Sequence, residues 1–296
     1  MESTDGYQVL LYYKYVRIDD PKDFAKRHLA FCQELGLKGR ILVAEEGING
    51  TVSGTIAATE VYMEAMHQDP RFREMVFKVD PHEGHAFKKM HVRPKEELVT
   101  FRVDRELDPN QKSGKRLSPK EFHEAMQDEE VLILDGRNDY EYDLGRFKNA
   151  IRPNVRSFRE FPDWIRDHLA DYKDKKILTY CTGGIRCEKL TAYMLEEGFR
   201  DVAQLEGGIV TYGKDPEVKG LDFEGKCFVF DERLSVSVNR VEEMTVGRCL
   251  HCGEPSERYI NCRNDPCHRL YLCCSGCEEE HGGFCGSSCE KEAKTV

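Results

Sequence analysis

Residues 177–190, ILTYCTGGIRCEKL, set two cysteines around a glycine-rich loop. An apolar run leads into Cys181, and Cys187 falls where a helix is expected to begin. In a strand–loop–helix connection the loop amides converge on the space before the helix N-terminus, which favours negative charge. A thiolate at that point is stabilised, so Cys181 is expected to carry a lowered pKa and to act as the reactive cysteine. Thr182, Gly183, Gly184 and Ile185 form the expected anion cradle, and the two glycines permit the close backbone approach it needs. Arg186 adds a positive charge that deprotonation does not remove. Four residues separate Cys181 from Arg186, one fewer than in the loop of cysteine phosphatases. The smaller ring suits one extra sulfur atom better than a phosphate. Cys187 lies beyond the cradle, in the first helical turn. It is either a buried structural thiol or a redox partner that resolves an oxidised or persulfidated Cys181.

The elements that position this loop alternate along the chain. Ser118-Pro119 reads as an N-cap followed by Pro at the first helical position, opening PKEFHEAM. An apolar strand at 131–134 ends in Asp135, the helical stretch SFREFPDWIRDHLA follows, and KKILTY runs into Cys181. A helix CEKLTAYMLEEG and a strand near DVAQL complete the pattern. Alternating strands and helices predict a parallel α/β sheet, whose active sites lie at the C-terminal strand ends, where Asp135 and Cys181 both fall. Upstream, YQVLLYY, a helix from Pro21 to Gly36 with Phe24, Leu29, Phe31 and Leu35 inward, two strands in 39–54, a helix at 55–67 and a strand at 75–80 give the β-α-β-β-α-β order of a ferredoxin-like α+β domain. The polar stretch 104–117 reads as a linker. The expected domains are 1–103, 115–213 and 222–296.

The chain has 296 residues and a net charge of −10, with 40% hydrophobic and 33% charged residues. That is a globular composition, and it argues against indiscriminate nucleic-acid binding. No apolar window is long enough to span a membrane, and the N-terminus lacks a secretory pattern, so a cytoplasmic location is expected. A local basic run, HAFKKMHVRPK at 85–95, offers Lys88, Lys89, His91, Arg93 and Lys95 as contacts to RNA phosphates, or else is a solvated loop or strand face. Tyr12, Tyr13 and Phe87 are either core residues or platforms for an unpaired base. GxGxxG does not occur, so no flavin or nicotinamide motif is present. His82, Glu83 and His85 form only a loose two-histidine, one-carboxylate set.

Nine of the thirteen cysteines lie between Cys249 and Cys289. Without an export signal, such a cluster reads as metal ligands rather than disulfides. Cys249, Cys252, Cys274 and Cys277 make one pair of knuckles; Cys262, Cys267, Cys285 and Cys289 make another. Interleaved, they predict a cross-braced module for two structural zinc ions. Cys273 is left over as a substitute for Cys274, and His251, His268 and His281 are alternative ligands.

The loop CTGGIR, with Asp135 and DGRNDYEYDLGRFKNAI, resembles the rhodanese domain over roughly 115–213. In that pattern the cysteine carries a persulfide, and a His usually stands where this chain has Arg146. Together with LVAEEGINGTVSG, HVRPKEELVT and the cysteine-rich tail, CTGGIRCEK resembles the rhodanese-related tRNA uridine hydroxylases of bacteria over nearly the whole chain. The resemblance implies an N-terminal ferredoxin/acylphosphatase-like domain, a central rhodanese domain and a small Cys-rich metal-binding module. It also implies oxygen-dependent hydroxylation of C5 of tRNA uridine 34 to 5-hydroxyuridine, with molecular oxygen as co-substrate, tRNA as partner and Cys181 as the essential cysteine. Asp135 and Arg186 complete the expected catalytic set. The alternative is a sulfurtransferase that moves sulfane sulfur through Cys181.

Overall fold

The computed structural model describes residues 6–105 and 107–293. Its first part is a five-stranded sheet with two helices: β1 (Tyr7–Tyr15), α1 (Pro21–Glu34), β2 (Lys38–Ala44), β3 (Gly47–Thr55), α2 (Ile56–Gln68), β4 (Lys78–His82) and β5 (Met90–Pro94). The strand order is β4-β1-β3-β2-β5. Four strands follow the ferredoxin-like pattern, and β5 is an addition, parallel to β2. The basic run therefore supplies an edge strand. Val92 turns inward while His91 and Arg93 stay exposed, and charge on such an edge discourages pairing with another chain.

Asp20 caps α1 by accepting from the Asp23 N–H at 3.0 Å, and Pro21 opens the helix. The deepest face of α1 is Phe24, Ala25, His28 and Cys32, with Leu29, Phe31 and Leu35 at its margin. Tyr12 belongs to this core, fully buried, with its hydroxyl hydrogen-bonded to that of Tyr62. That position removes it as a base-stacking platform.

The second part contains β6 (Lys115–Leu117), α3 (Pro119–Met126), β7 (Leu132–Asp135), α4 (Asp139–Leu144), β8 (Gly145–Phe147), a 3-10 turn, α5 (Phe161–His168), β9 (Lys176–Tyr180), α6 (Ile185–Glu196), β10 (Asp201–Leu205) and α7 (Gly208–Lys214). Strands β6-β10-β9-β7 form a sheet in which every pairing is parallel. Period-two alternation divides its side chains between two cores: Leu178 and Tyr180 on one face, Ile177 and Leu134 on the other. A capping box between Ser118 and Glu121 starts α3 as expected.

The stretch read as a linker is pinned down. Leu107 is buried, Gly114 N–H donates to Thr191 Oγ1 at 2.9 Å, and β6 joins the sheet beside β10. Phe101, just before it, packs on Phe158 and Tyr193. Single apolar anchors in polar surroundings do this, and composition averages them away.

The third part begins with β11 (Phe223–Phe228) and β12 (Ser235–Ser237). β11 pairs antiparallel with both β8 and β12, so residues 223–237 extend the second part rather than the cysteine cluster. The cluster itself is built on the hairpin β13 (Tyr259–Asn261)–β14 (Leu270–Leu272) and on α8 (Ser275–Glu280) and α9 (Ser287–Ala293). Leu144, Phe228, Tyr259 and Leu272 form the apolar seam that holds it to α4 and β11. No helix of the described residues is long and apolar enough to cross a membrane.

Candidate active site and cysteine clusters

Cys181 follows the last residue of β9, and the loop 181–184 leads directly into α6. The start of α7 holds the loop from behind: Ile209 N–H donates to the Cys181 carbonyl at 3.0 Å, and Val210 N–H to that of Thr182 at 3.1 Å. With its carbonyls tied back, the loop turns N–H groups toward the sulfur, and Gly184 N–H donates to Cys181 Sγ at 3.1 Å. Gly184 has φ 102°, the left-handed region open to glycine.

Arg186, one residue into α6, lies beside the thiol, but its guanidinium is gripped by Glu141 of α4. The bond is bidentate, 2.7 and 2.8 Å, and Glu141 is fully buried. Thr182 Oγ1 accepts from Arg186 at 3.3 Å. Burial alone pushes the Cys181 thiol up. The Cys187 thiol beside it, the Arg186 charge and the N–H groups of Cys187 and Arg186 outweigh burial and hold Cys181 well below the ordinary thiol range. Cys187 goes the other way: burial and the neighbouring Cys181 push it up. The two shifts run in opposite directions, so of the two neighbouring cysteines Cys181 is the one whose thiolate is favoured.

Asp135 lies at the end of β7 but faces elsewhere. It is fully buried, receives Arg137 at 2.9 and 2.6 Å, and accepts from the Tyr180 hydroxyl at 2.7 Å. It anchors the strand end from which the loop springs.

The N-terminal sheet closes the front of the site. Residues 10 and 12 of β1 face their own core, while Leu11, Tyr13 and Tyr15 face the cysteine loop. A Cβ on Gly183 would meet Leu11 at 3.1 Å, and one on Gly184 would meet Tyr13 Oη at 2.9 Å. Tyr13 Oη donates to Glu188 Oε1 at 3.0 Å, and Arg116 holds the other carboxylate oxygen at 2.9 Å. Lys78 stands opposite Leu11 in the β1–β4 register, with its ammonium 5.2 Å from the Tyr13 ring centre. Burial, with Lys214, lowers the Lys78 pKa to about 8 against the opposing charges of Cys181, Glu188 and Glu206. Lys189 bridges the parts, 2.9 Å from both Glu46 and Glu97. A cavity of about 410 Å³ opens here, with Tyr13, Lys78, Arg116, Glu188 and Gly207 in its wall. Tyr13, a candidate base platform from sequence, stands over the cysteine loop, while nothing in the sequence marks Glu141 or Lys78 as site residues. The only trace of this docking was that β1 is apolar on both faces, as a strand covered twice must be.

Lys88, Lys89, His91, Arg93 and Lys95 are all exposed, on β5 and beside it, and Lys88 pairs with Glu232 at 3.4 Å. Phe87 is half-buried. His82 and His85 bond to different backbone oxygens, Gly84 at 2.7 Å and Ser53 at 3.2 Å, so no metal set with Glu83 gathers there.

The cysteine tail gathers two four-sulfur groups: Cys249, Cys252, Cys274 and Cys277, and Cys262, Cys267, Cys285 and Cys289, each with all sulfurs within 4.8 Å of one another. Contacts of 3.8 Å (Cys252–Cys274), 3.7 Å (Cys267–Cys285) and 3.6 Å (Cys285–Cys289) recur. Four thiolates at ~2.3 Å from a tetrahedral ion stand about 3.8 Å apart, so the spacing suits a metal. Cys273 is fully buried, outside both groups, and donates to the Cys274 carbonyl at 3.4 Å. His251 and His281 stack at 4.0 Å, and His281 also lies within ligand distance of Cys277 and Glu280.

Residues 7–98 match the family model of the UPF0176 acylphosphatase like domain, 118–215 that of the rhodanese-like domain, and 224–290 that of the rhodanase C-terminal region. The chain is 60% identical over 290 residues, 98% of its length and 90% of the relative's, to the tRNA uridine(34) hydroxylase of Bacillus licheniformis. It is 57% identical to the protein of that name from Oceanobacillus iheyensis and 56% to that from Bacillus velezensis, again over 98% of this chain and 90% of each relative.

Proposed function

This chain belongs to the tRNA uridine(34) hydroxylase family, and from that membership we propose that it hydroxylates C5 of uridine 34 in tRNA to give 5-hydroxyuridine. The observation that carries the reading is the buried Cys181 Sγ, accepting from the Gly184 N–H at 3.1 Å in a loop beneath a second domain, where its pKa is held down. In this reading Thr182, Gly183, Gly184 and Ile185 cradle the sulfur, and Arg186, fixed by Glu141, keeps it anionic. Asp135 positions the strand end through Arg137 and Tyr180. Cys187 is the redox partner. Hydroxylation replaces C5–H with C5–OH, taking one atom from molecular oxygen. The second atom leaves as water with two electrons and two protons. The Cys181 thiolate and the Cys187 thiol supply both electrons and one proton on closing to a disulfide, solvent supplies the other proton, and external thiols reduce the disulfide afterwards.

The two four-cysteine groups each hold a zinc ion. A site closed by four thiolates has no open position, so its contribution is to fix the fold of the tail. Cysteines grouped as metal ligands rather than as disulfides suit a cytoplasmic protein. The exposed edge around Lys88, Lys89, His91, Arg93 and Lys95 adds attraction for RNA phosphates.

The test is mass spectrometry of tRNA nucleosides from a deletion strain complemented with wild type, Cys181→Ala or Cys181→Ser. Wild type is expected to restore 5-hydroxyuridine derivatives and both variants to fail. Normal hydroxylation with either variant would sink the cysteine-centred mechanism. Loss of a thiolated nucleoside instead would select persulfide-based sulfur transfer.

A further inference from the structure

A cleft of about 780 Å³ separates α4 of the second part from the β13–β14 hairpin of the cysteine module. Four arginines open onto it: Arg146 and Arg156 from the rhodanese side, Arg248 and Arg269 from the module. None of the four guanidinium groups forms an ion pair among the described residues, and Arg156 meets a carboxylate only through its backbone N–H, which donates to Glu160 at 3.2 Å. The cleft's own acids, Asp139 and Asp143, are both within reach of Arg152, at 3.9 and 2.7 Å. Arg146 stacks on the Tyr142 ring, 5.0 Å from its centre, a contact that leaves its charge in place. In a chain of net charge −10, four guanidinium groups without an ion pair in one groove are a concentration of positive charge. Tyr271 lines the same cleft, is 3% exposed, and its hydroxyl has no hydrogen-bond partner. A buried hydroxyl left in that state costs about 1–3 kcal/mol.

Forked guanidinium groups match phosphate oxygens, and several in a row match a polymer of phosphates better than one small anion. The cleft also lies next to the cysteine loop. Helix α4 turns Glu141 inward to Arg186 and presents Asp139, Tyr140 and Asp143 to the cleft. A base taken out of its stack to meet Cys181 has its neighbouring backbone close by.

We propose that this cleft grips the phosphodiester backbone of the RNA beside the target base. The proposal rests on the hydroxylase reading for its choice of polyanion. It is distinct from the exposed β5 edge, which lies on the other end of the N-terminal sheet from β4.

The test measures binding of an unmodified tRNA transcript to the full-length, metal-loaded protein by fluorescence anisotropy over a salt series. Two double variants probe the two walls separately: Arg146→Gln with Arg156→Gln, and Arg248→Gln with Arg269→Gln. Each is expected to weaken binding about tenfold or more and to reduce the slope of log K against log salt by about 1.4–1.8, as loss of two phosphate contacts requires. KM for tRNA should rise with kcat little changed. Unchanged melting temperature and metal content show that the variants fold, and because the two pairs sit on different domains, one misfolded variant leaves the other informative. Wild-type affinity and slope in a folded pair overturns the cleft, as does loss confined to Lys88→Gln with Lys89→Gln. Weakened binding by the cleft variants, with no 5-hydroxyuridine made by wild type, leaves the cleft standing and removes the hydroxylase reading.

Discussion

At the residue scale, the chemistry of the site depends on how Arg186 is held. A buried guanidinium needs a partner, and Glu141 supplies both oxygens. Burial pushes the Glu141 carboxyl up, but the charge and hydrogen bonds of Arg186 hold it below its ordinary range. A carboxyl with a depressed folded pKa stabilises the fold above its unfolded value and loses that contribution as pH falls through the folded one. Glu141→Gln should therefore cost about 3–5 kcal/mol near neutral pH, because it strands a buried charge. The gap between variant and wild type should narrow as pH falls below the ordinary Glu value of about 4.3, where the unfolded chain takes up a proton that folded Glu141 resists, and close as pH falls through the lower folded value. Urea unfolding of both proteins across that range checks this; a gap independent of pH would show that Glu141 acts through packing alone. Cys181, Arg186 and the cradle were legible because chemistry of this kind needs those residue types close together in sequence. Glu141 was not, because it arrives from 45 residues away inside a run of alternating acids and aromatics with nothing to mark it.

At the element scale, the loop is shaped by what presses on it. β1 sends Tyr12 into its own core and Leu11 and Tyr13 onto the glycines of the loop. Gly184→Ala meets two obstacles: a φ of 102° and a Cβ 2.9 Å from Tyr13 Oη. The expected cost is about 1–3 kcal/mol, with a larger fractional loss of turnover because the Gly184 N–H leaves the sulfur. Adding Tyr13→Phe removes the close oxygen but not the backbone strain, so melting temperature and turnover should recover only in part. Full recovery would place the whole effect in the contact. The elements themselves were largely readable. Ser118-Pro119 caps α3, and the apolar run 177–180 forms β9. The edge strand β5 and the anchored segment after Phe101 were not, since each depends on one or two apolar residues finding a partner surface far along the chain.

At the scale of the whole molecule, three parts are joined by one charged and one apolar interface. Lys189 ties the first to the second, and the Leu144–Tyr259–Leu272 seam ties the second to the third. The cysteine module has little apolar core beyond its own sulfurs and a few aromatic residues, so metal is expected to be its main source of order. Cys274→Ser should remove about one zinc per chain, whereas Cys273→Ser, outside both groups, should remove none. Metal analysis of the two proteins purified without chelator decides it; equal loss from both would mean that Cys273 is a ligand.

Sequence alone determined what short-range order encodes: the strand–loop–helix around Cys181, the paired cysteine knuckles, the main alternation of strands and helices in the first two parts, and the family resemblance that long contiguous motifs carry. Tertiary structure decided which residues meet across domains. Tyr13 and Lys78 roof the cysteine, Glu141 holds its arginine, and four arginines from two domains face one cleft. The physical reason is that periodicity and capping act within a few residues. Burial of a charge or docking of a sheet face is settled by surfaces that have no fixed separation along the chain.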